Sequence, residues 1–223
     1  MTASRVQAGS GSDDGMRAGE GSHVGLSPNY RARPAHEPDG AMMVPLPHGP
    51  FGVILADPPW SFRTYGGKQT APTRRTVGPY DTMSLEAIKA LPVERVAAKN
   101  AVLLLWTVSH LQSAAFDIAA AWGFKPVSVA FVWDKGRMGM GYWTRQEVEI
   151  CHLFKRGRPP RLSKGVRQKI VAPRREHSRK PDEQYERIEA LASGPYLEIF
   201  ARQSRQGWST WGNEATKFDQ VAA

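Results

Sequence analysis

The chain has 223 residues, 41% of them hydrophobic and 23% charged, which suffices to bury one core and makes a single folded domain the expectation. A formal net charge of +9 and a pI of about 9.9 favour a polyanionic partner, with simple solubility as the bland alternative. No apolar run approaches the roughly 18–20 residues of a membrane span. The single cysteine, Cys151, excludes an internal disulfide, and with the 6 histidines scattered no zinc spacing appears, so no metal is expected. No signal-peptide pattern opens the sequence, and a reducing, cytoplasmic setting is expected.

Residues 1–48 are rich in Gly, Ser, Pro and charge and carry no sustained period, so a disordered or weakly ordered tail is expected. A short DNA-contacting arm is the alternative there. The folded domain is expected over residues 49–218, with 219–223 as a C-terminal tail.

Gly52-Val53-Ile54-Leu55-Ala56 reads as a short buried strand. It must stop at Asp57, because Pro58 and Pro59 cannot donate to a ladder. In an open α/β sheet, chemistry collects outside the carboxyl ends of the strands, which is where Asp57 falls. The group that follows, Asp57-Pro58-Pro59-Trp60, suits a flat, weakly nucleophilic amine. The Asp57 carboxylate accepts one amino hydrogen, the Pro58 carbonyl a second, and Trp60 stacks on the ring. An ordinary Asp-Pro turn after a strand is the competing reading.

Residues 61–80 form a loop bearing Arg63, Lys68, Arg74 and Arg75, for which nucleic-acid backbone contact is favoured over a solvated surface. Ser84 is placed to cap a helix over Leu85–Leu91. The run Ala101–Trp106 looks like an interior parallel strand, His110–Trp122 like an amphipathic helix closed by Gly123 in the C′ position, and Val127–Trp133 like a further strand. Together they read as a βαβ unit with a right-handed crossover. Gly136, Gly139 and Gly141 follow in a loop with Tyr142 and Trp143, without the spacing of a dinucleotide fingerprint. Glu147–Phe154 reads as another strand, with Cys151 packed within it.

Lys155–Lys180 is strongly basic, opposed only by Glu176, and is read as an extended loop able to lie along phosphates. Arg161, Lys164 and Arg167 are its candidate nucleic-acid contacts, a solvated face being the alternative. Pro181, Asp182 and Glu183 open a helix that runs to about Ala192. Tyr196–Arg202 is a further strand, with Arg202 just past its carboxyl end, and Gly207–Glu214 closes the domain.

Ala56-Asp57-Pro58-Pro59-Trp60 resembles the signature of the amino-methyltransferases, specifically the N6-adenine group called MT-A-seventy-like. Tyr80-Asp81-Thr82-Met83-Ser84, Ser178-Arg179-Lys180-Pro181-Asp182-Glu183 and Gly212-Asn213-Glu214 continue the likeness in order over roughly residues 52–214. The resemblance implies an α/β, Rossmann-like, S-adenosylmethionine-dependent methyltransferase fold: a mostly parallel sheet with helices on both faces, the catalytic strand preceding the cofactor strand. It also implies an antiparallel hairpin around Glu147–Phe154.

Carried over by position, Asp57, Pro58, Pro59 and Trp60 hold the target adenine, while Asp57, Lys180, Phe200, Arg202, Asn213 and Glu214 bind S-adenosyl-L-methionine. Lys180 approaches the cofactor's carboxylate, Phe200 and Arg202 flank it, and Asn213 and Glu214 meet its adenosine part. Gln203-Ser204-Arg205-Gln206 departs from the His-Asn of the eukaryotic catalytic subunit, so no contact is carried over there. The expected activity is methyl transfer to the N6 amine of adenine in DNA. The same reaction on RNA and a nucleic-acid-binding pseudoenzyme are the alternatives.

Overall fold

Strand β1 (Phe51–Ala56) lies inside the sheet, with parallel neighbours on both sides, and its composition says why. Val53, Ile54, Leu55 and Ala56 are all at most 1% exposed, as a strand covered on both faces requires. The strand ends at Ala56, directly before Asp57 and the two prolines, as expected. The computed structural model describes residues 45–60, 82–139, 141, 143–175 and 179–219. The expectations for residues 1–44, 61–81 and 220–223, and those for Tyr142, Glu176 and Ser178, therefore lie outside the described residues.

Downstream come α1 (Leu85–Lys89), α2 (Val93–Val96), β2 (Ala97–Thr107) and α3 (Gln112–Ala121). They are followed by β3 (Lys125–Gly139), β4 (Gln146–Arg156), β5 (Lys169–Val171), α4 (Glu183–Leu191), β6 (Tyr196–Ile199) and β7 (Trp208–Trp211). The described strands form one 7-stranded sheet in the order β5-β3-β4-β2-β1-β6-β7. Strands β3, β5, β2, β1, β6 and β7 run parallel, and β4 alone runs against its neighbours β2 and β3. This is the mostly parallel α/β sheet that the sequence implies.

Local signals account for several boundaries. The Ser84 hydroxyl accepts a hydrogen bond from the Ala87 amide at 3.1 Å, the expected cap of α1. Gly123 sits at φ +80°, a left-handed position after α3 that a side chain would strain. Strand β6 is shorter than predicted: Phe200 takes φ +65° and turns the chain, so the strand stops at Ile199 and Arg202 lies past its carboxyl end, as expected, but beyond a bend. A positive φ at a bulky residue is uncommon and strained, and Gly212 makes the fold around it feasible. A Cβ on Gly212 would lie 3.0 Å from the Phe200 Cα and 3.1 Å from the Ala201 amide nitrogen.

Three expectations are corrected. The βαβ unit is real in direction, but β4 is inserted between β2 and β3, so the two parallel strands are not neighbours. Strand β3 runs on to Gly139 through glycines read as loop, because a bulged hairpin carries the pairing to Gly139 opposite Gln146. The basic stretch is no single extended loop. Its start completes β4, Lys169–Val171 forms β5 beside β3, and β7 was not foreseen at all.

The two faces of the sheet carry different helices. On one, Phe116 of α3 meets His152 and Phe154 edge-on at centroid distances of 5.1 and 5.4 Å. Their register partners are Leu105 and Leu103. On the other, Tyr185 and Ile188 of α4 pack in one cluster with Val53, Leu55, Leu104, Trp106 and Cys151. Period-two alternation assigns Asp57, Glu149 and Glu198 to this second face, and the chemistry gathers there.

Candidate active site

At the carboxyl end of β1 the Asp57 carboxylate leaves the core, its side chain 23% exposed. The Lys180 ammonium donates to its Oδ2 at 2.6 Å, from 123 residues away in sequence. The same ammonium lies 3.2 Å from Glu149 Oε2, and Lys135 reaches the other Glu149 oxygen at 3.4 Å. The result is a chain of alternating charge, Asp57–Lys180–Glu149–Lys135, that ties β1 to the hairpin of β3 and β4. Lys180 also sits 5.4 Å from the centre of the Trp106 ring, whose Nε1 donates to Gln184 at 2.7 Å.

Burial by itself would push the Lys180 ammonium toward neutrality, but the adjacent Asp57 and Glu149 carboxylates outweigh it and hold it above the ordinary lysine range. Burial likewise works against the Glu149 carboxylate, and Lys180 and Lys135 overcome it, keeping its pKa low. Both therefore stay charged at neutral pH. Glu198 behaves differently. Burial pushes it up to about 7, opposed by the hydrogen bond from Tyr185 and reinforced by the negative charge of Asp57. The Tyr185 hydroxyl lies 3.2 and 3.0 Å from the two Glu198 oxygens.

Asp57, Lys180, Phe200 and Arg202 line one pocket, together with Leu55, Trp106, Gln184, Tyr185 and Glu198. The structure thus brings together four of the residues expected at the cofactor. Glu214 adjoins the pocket through Arg202, whose Nε lies 3.7 Å from its carboxylate, and Lys217 binds its other oxygen. Asn213 is exposed beside it. The Pro58 carbonyl accepts the Trp60 amide at 2.8 Å, which leaves one lone pair of that oxygen for an incoming amine. The Pro59 carbonyl accepts from the Met83 amide at 3.0 Å and fixes the turn. Trp60 is 6% exposed, so stacking on a base requires its ring to be uncovered, and its buried Nε1 has no protein partner among the described residues.

The candidate nucleic-acid residues divide. Arg63, Lys68, Arg74 and Arg75 lie outside the described residues. Arg161, Lys164 and Arg167 are exposed. Their basic neighbours Arg175 and Arg179 instead turn onto Asp182, Arg175 at 2.7 Å. Sequence reasoning missed Glu149, Glu198, Tyr185 and Lys135. The signal was faint but present: a glutamate inside the apolar run Tyr196-Leu197-Glu198-Ile199 is a charge on a strand with no polar face to put it on. Glu149 similarly shares a face with Cys151 two residues on.

Comparison with known proteins gives one consistent answer. A protein-family profile described as MT-A70 matches residues 51–214. The Type II methyltransferase M.MunI of a Mycoplasma species is 31% identical over 188 residues, spanning 76% of this chain and 79% of that protein. A putative N(6)-adenosine-methyltransferase MT-A70-like of Medicago truncatula is 30% identical over 74% of this chain and 26% of its own length. The human N(6)-adenosine-methyltransferase catalytic subunit METTL3 is 29% identical over 74% of this chain and 28% of its own length. The chain thus spans about a quarter of the eukaryotic relatives it matches.

Proposed function

The chain belongs to the MT-A70 family of methyltransferases, and from that premise we propose that it transfers a methyl group from S-adenosylmethionine to the N6 amine of adenine in DNA. The observation that carries this reading is the Asp57 carboxylate at the end of β1, facing the pocket that Lys180, Phe200 and Arg202 also line. The donor set fits the cofactor chemically. A carboxylate suits an ammonium, a lysine suits a carboxylate, and the aromatic Phe200 and cationic Arg202 suit an adenosine with its hydroxyls. Asn213 and Glu214 complete that set on the far side of Arg202. When bound, S-adenosylmethionine supplies a sulfonium methyl as the electrophile.

The residues of the chain then have defined tasks. Asp57 accepts one hydrogen of the exocyclic amine and turns its lone pair out of conjugation with the ring, while the free lone pair of Pro58 accepts the second. Trp60 stacks on the base once its ring is uncovered. Lys180 donates to Asp57 Oδ2 at 2.6 Å, and the second carboxylate oxygen supplies the acceptor for the amine. Glu149 holds the same ammonium from the other side at 3.2 Å and fixes its position beside Asp57. An adenine in a duplex must leave the stack, at a few kcal/mol of unstacking. DNA is favoured over RNA because the likeness to the type II methyltransferase runs along 79% of that protein, against 28% of METTL3. A scaffold without activity has no use for a carboxylate held at the mouth of this pocket.

The test is methyl transfer from labelled cofactor to DNA and RNA oligonucleotides, followed by digestion to nucleosides. N6-methyldeoxyadenosine as the labelled product is the expected result. Label confined to RNA would move the substrate class, and label in neither would end the proposal.

A further inference from the structure

The tip of the β3–β4 hairpin has no place in the site described so far, yet it rises from the same edge of the sheet. Strand β4 runs against β2, and its last partner there is Ile150 opposite Thr107. The four residues before Ile150 therefore project about 13 Å past the carboxyl end of β2, paired only with β3. The base of this projection is fastened to the site, because Lys135 and Glu149 of the hairpin are linked through Lys180 to Asp57. A second tie joins Gln146 to Ser109 at 2.8 Å.

Two described glycines of the turn sit against backbone. A Cβ on Gly141 would fall 2.0 Å from the Thr144 carbonyl oxygen, and one on Gly139 would fall 2.9 Å from that of Gln146. Only glycine allows the two arms to approach so closely. On this turn Trp143 is 100% exposed and Met138 68% exposed. Arg137 and Arg145 are exposed on either side, and no acidic residue occurs between Lys135 and Arg145.

A tryptophan held fully in water on a constrained turn contributes nothing to the fold, so its use lies in what it meets. Two apolar side chains are too small a patch for a stable protein–protein interface, and the flanking arginines would repel a second copy of the same tip. The same arrangement, a flat aromatic between cations, matches a base stack bordered by phosphates. We propose that the β3–β4 hairpin tip contacts nucleic acid, with the Trp143 indole stacking into the gap left by the extruded adenine and Arg137 and Arg145 on the flanking phosphates. This rests on the methylation of adenine proposed above, and it assigns the step of base extrusion to a residue outside the catalytic pocket.

The experiment compares wild type, Trp143→Ala and Trp143→Phe on two DNA duplexes, one fully paired and one with an abasic site opposite the target adenine. On the paired duplex, Trp143→Ala should lose about tenfold to a hundredfold in kcat/KM, the equivalent of one base–aromatic stack. It should keep near wild-type values where the adenine is already unpaired, and Trp143→Phe should recover most of the loss. Equal loss on both duplexes, or no loss on either, would overturn the assignment. A binding arm separates this from the parent reading. With 2-aminopurine at the target position, wild type should brighten the fluorescence at saturation and Trp143→Ala should not. Brightening without methyl transfer to any oligonucleotide would sink the proposed function and leave the tip standing. Equal brightening by both proteins would sink the tip alone, as would a Trp143→Ala protein that differs from wild type only in self-association by sedimentation.

Discussion

The two halves of the basic segment 155–180 are both rich in Lys and Arg, and the fold treats cations in them in opposite ways. In the first, Arg161, Lys164 and Arg167 stand exposed. In the second, Arg175 and Arg179 close on Asp182, and Lys180, its side chain 9% exposed, sits between Asp57 and Glu149. The difference lies wholly in the acids that the fold supplies. None of the acids that pair with the second half belongs to the run itself: Asp57 ends β1, Asp134 is on β3, Glu149 is on β4 and Asp182 precedes α4. Cations of one sequence run are thus left exposed or caged according to the counter-charges that the fold sets beside them.

That comparison can be broken most sharply at Asp57. Asp57→Ala should lower methyl transfer on the order of 10²–10³-fold or more while leaving the circular dichroism spectrum and melting profile close to wild type. Near-normal turnover in that variant would remove the claim that the carboxylate holds the amine.

Next in size is the difference between caged and exposed cations. Lys180→Ala strands two carboxylates, Asp57 and Glu149, next to one another in a largely buried site. A loss of about 3–5 kcal/mol of folding stability is expected, together with weakened cofactor binding. Replacing Arg161, Lys164 and Arg167 together should change stability by no more than about 0.5 kcal/mol per site. Denaturant unfolding of the two proteins side by side would show whether the halves differ as described. Similar midpoints would mean that they do not.

The third concerns pH. Glu198 is raised from 4.5 to about 7 in the fold, so between those values the folded state holds a proton that the unfolded state has released. Its neutral form is compatible with the fold at low pH, and that stability is lost as pH rises through about 7. The difference amounts to about 3 kcal/mol across the window. Glu198→Gln keeps an acceptor for Tyr185 and removes the titration. Its melting temperature should therefore fall less than that of wild type between pH 5 and 8. An identical fall in both would place the titration elsewhere.

The smallest effect is the one specific to the exposed half. The Arg161, Lys164, Arg167 triple alanine variant should flatten the dependence of log affinity on log salt, by up to about 0.9 for each duplex phosphate that these side chains neutralise in the wild type. Cofactor affinity measured by calorimetry should stay unchanged. A wild-type salt slope in the triple variant would make that surface merely solvated.

Much of the fold was legible because its signals are local. The Ser84 cap, the Gly123 terminus of α3 and the two prolines after Ala56 each act within a few residues, and each appears where it was expected. Strand order was not legible. Apolar runs declare β2, β3 and β4 as strands, but nothing within them says that β4 slips between the other two. The end of β6 was misjudged for a related reason: Phe200 turns the chain at φ +65° against Gly212 of a later segment, where a side chain would crowd it.

The candidate site divides along the same line. By itself the sequence determined that a carboxylate ends β1 before a stiff turn, that Lys180 stands just before a helix, and that both lie in an order shared with the MT-A70 family. Only the tertiary structure decided that these two groups meet at 2.6 Å, that Glu149 and Lys135 extend the pair, and that Glu198 is buried beside it near neutrality. Chain chemistry such as capping, helix breaking and alternation is set by neighbours in sequence. Electrostatic pairing depends on distance in space, and 123 residues separate Asp57 from the ammonium that holds it.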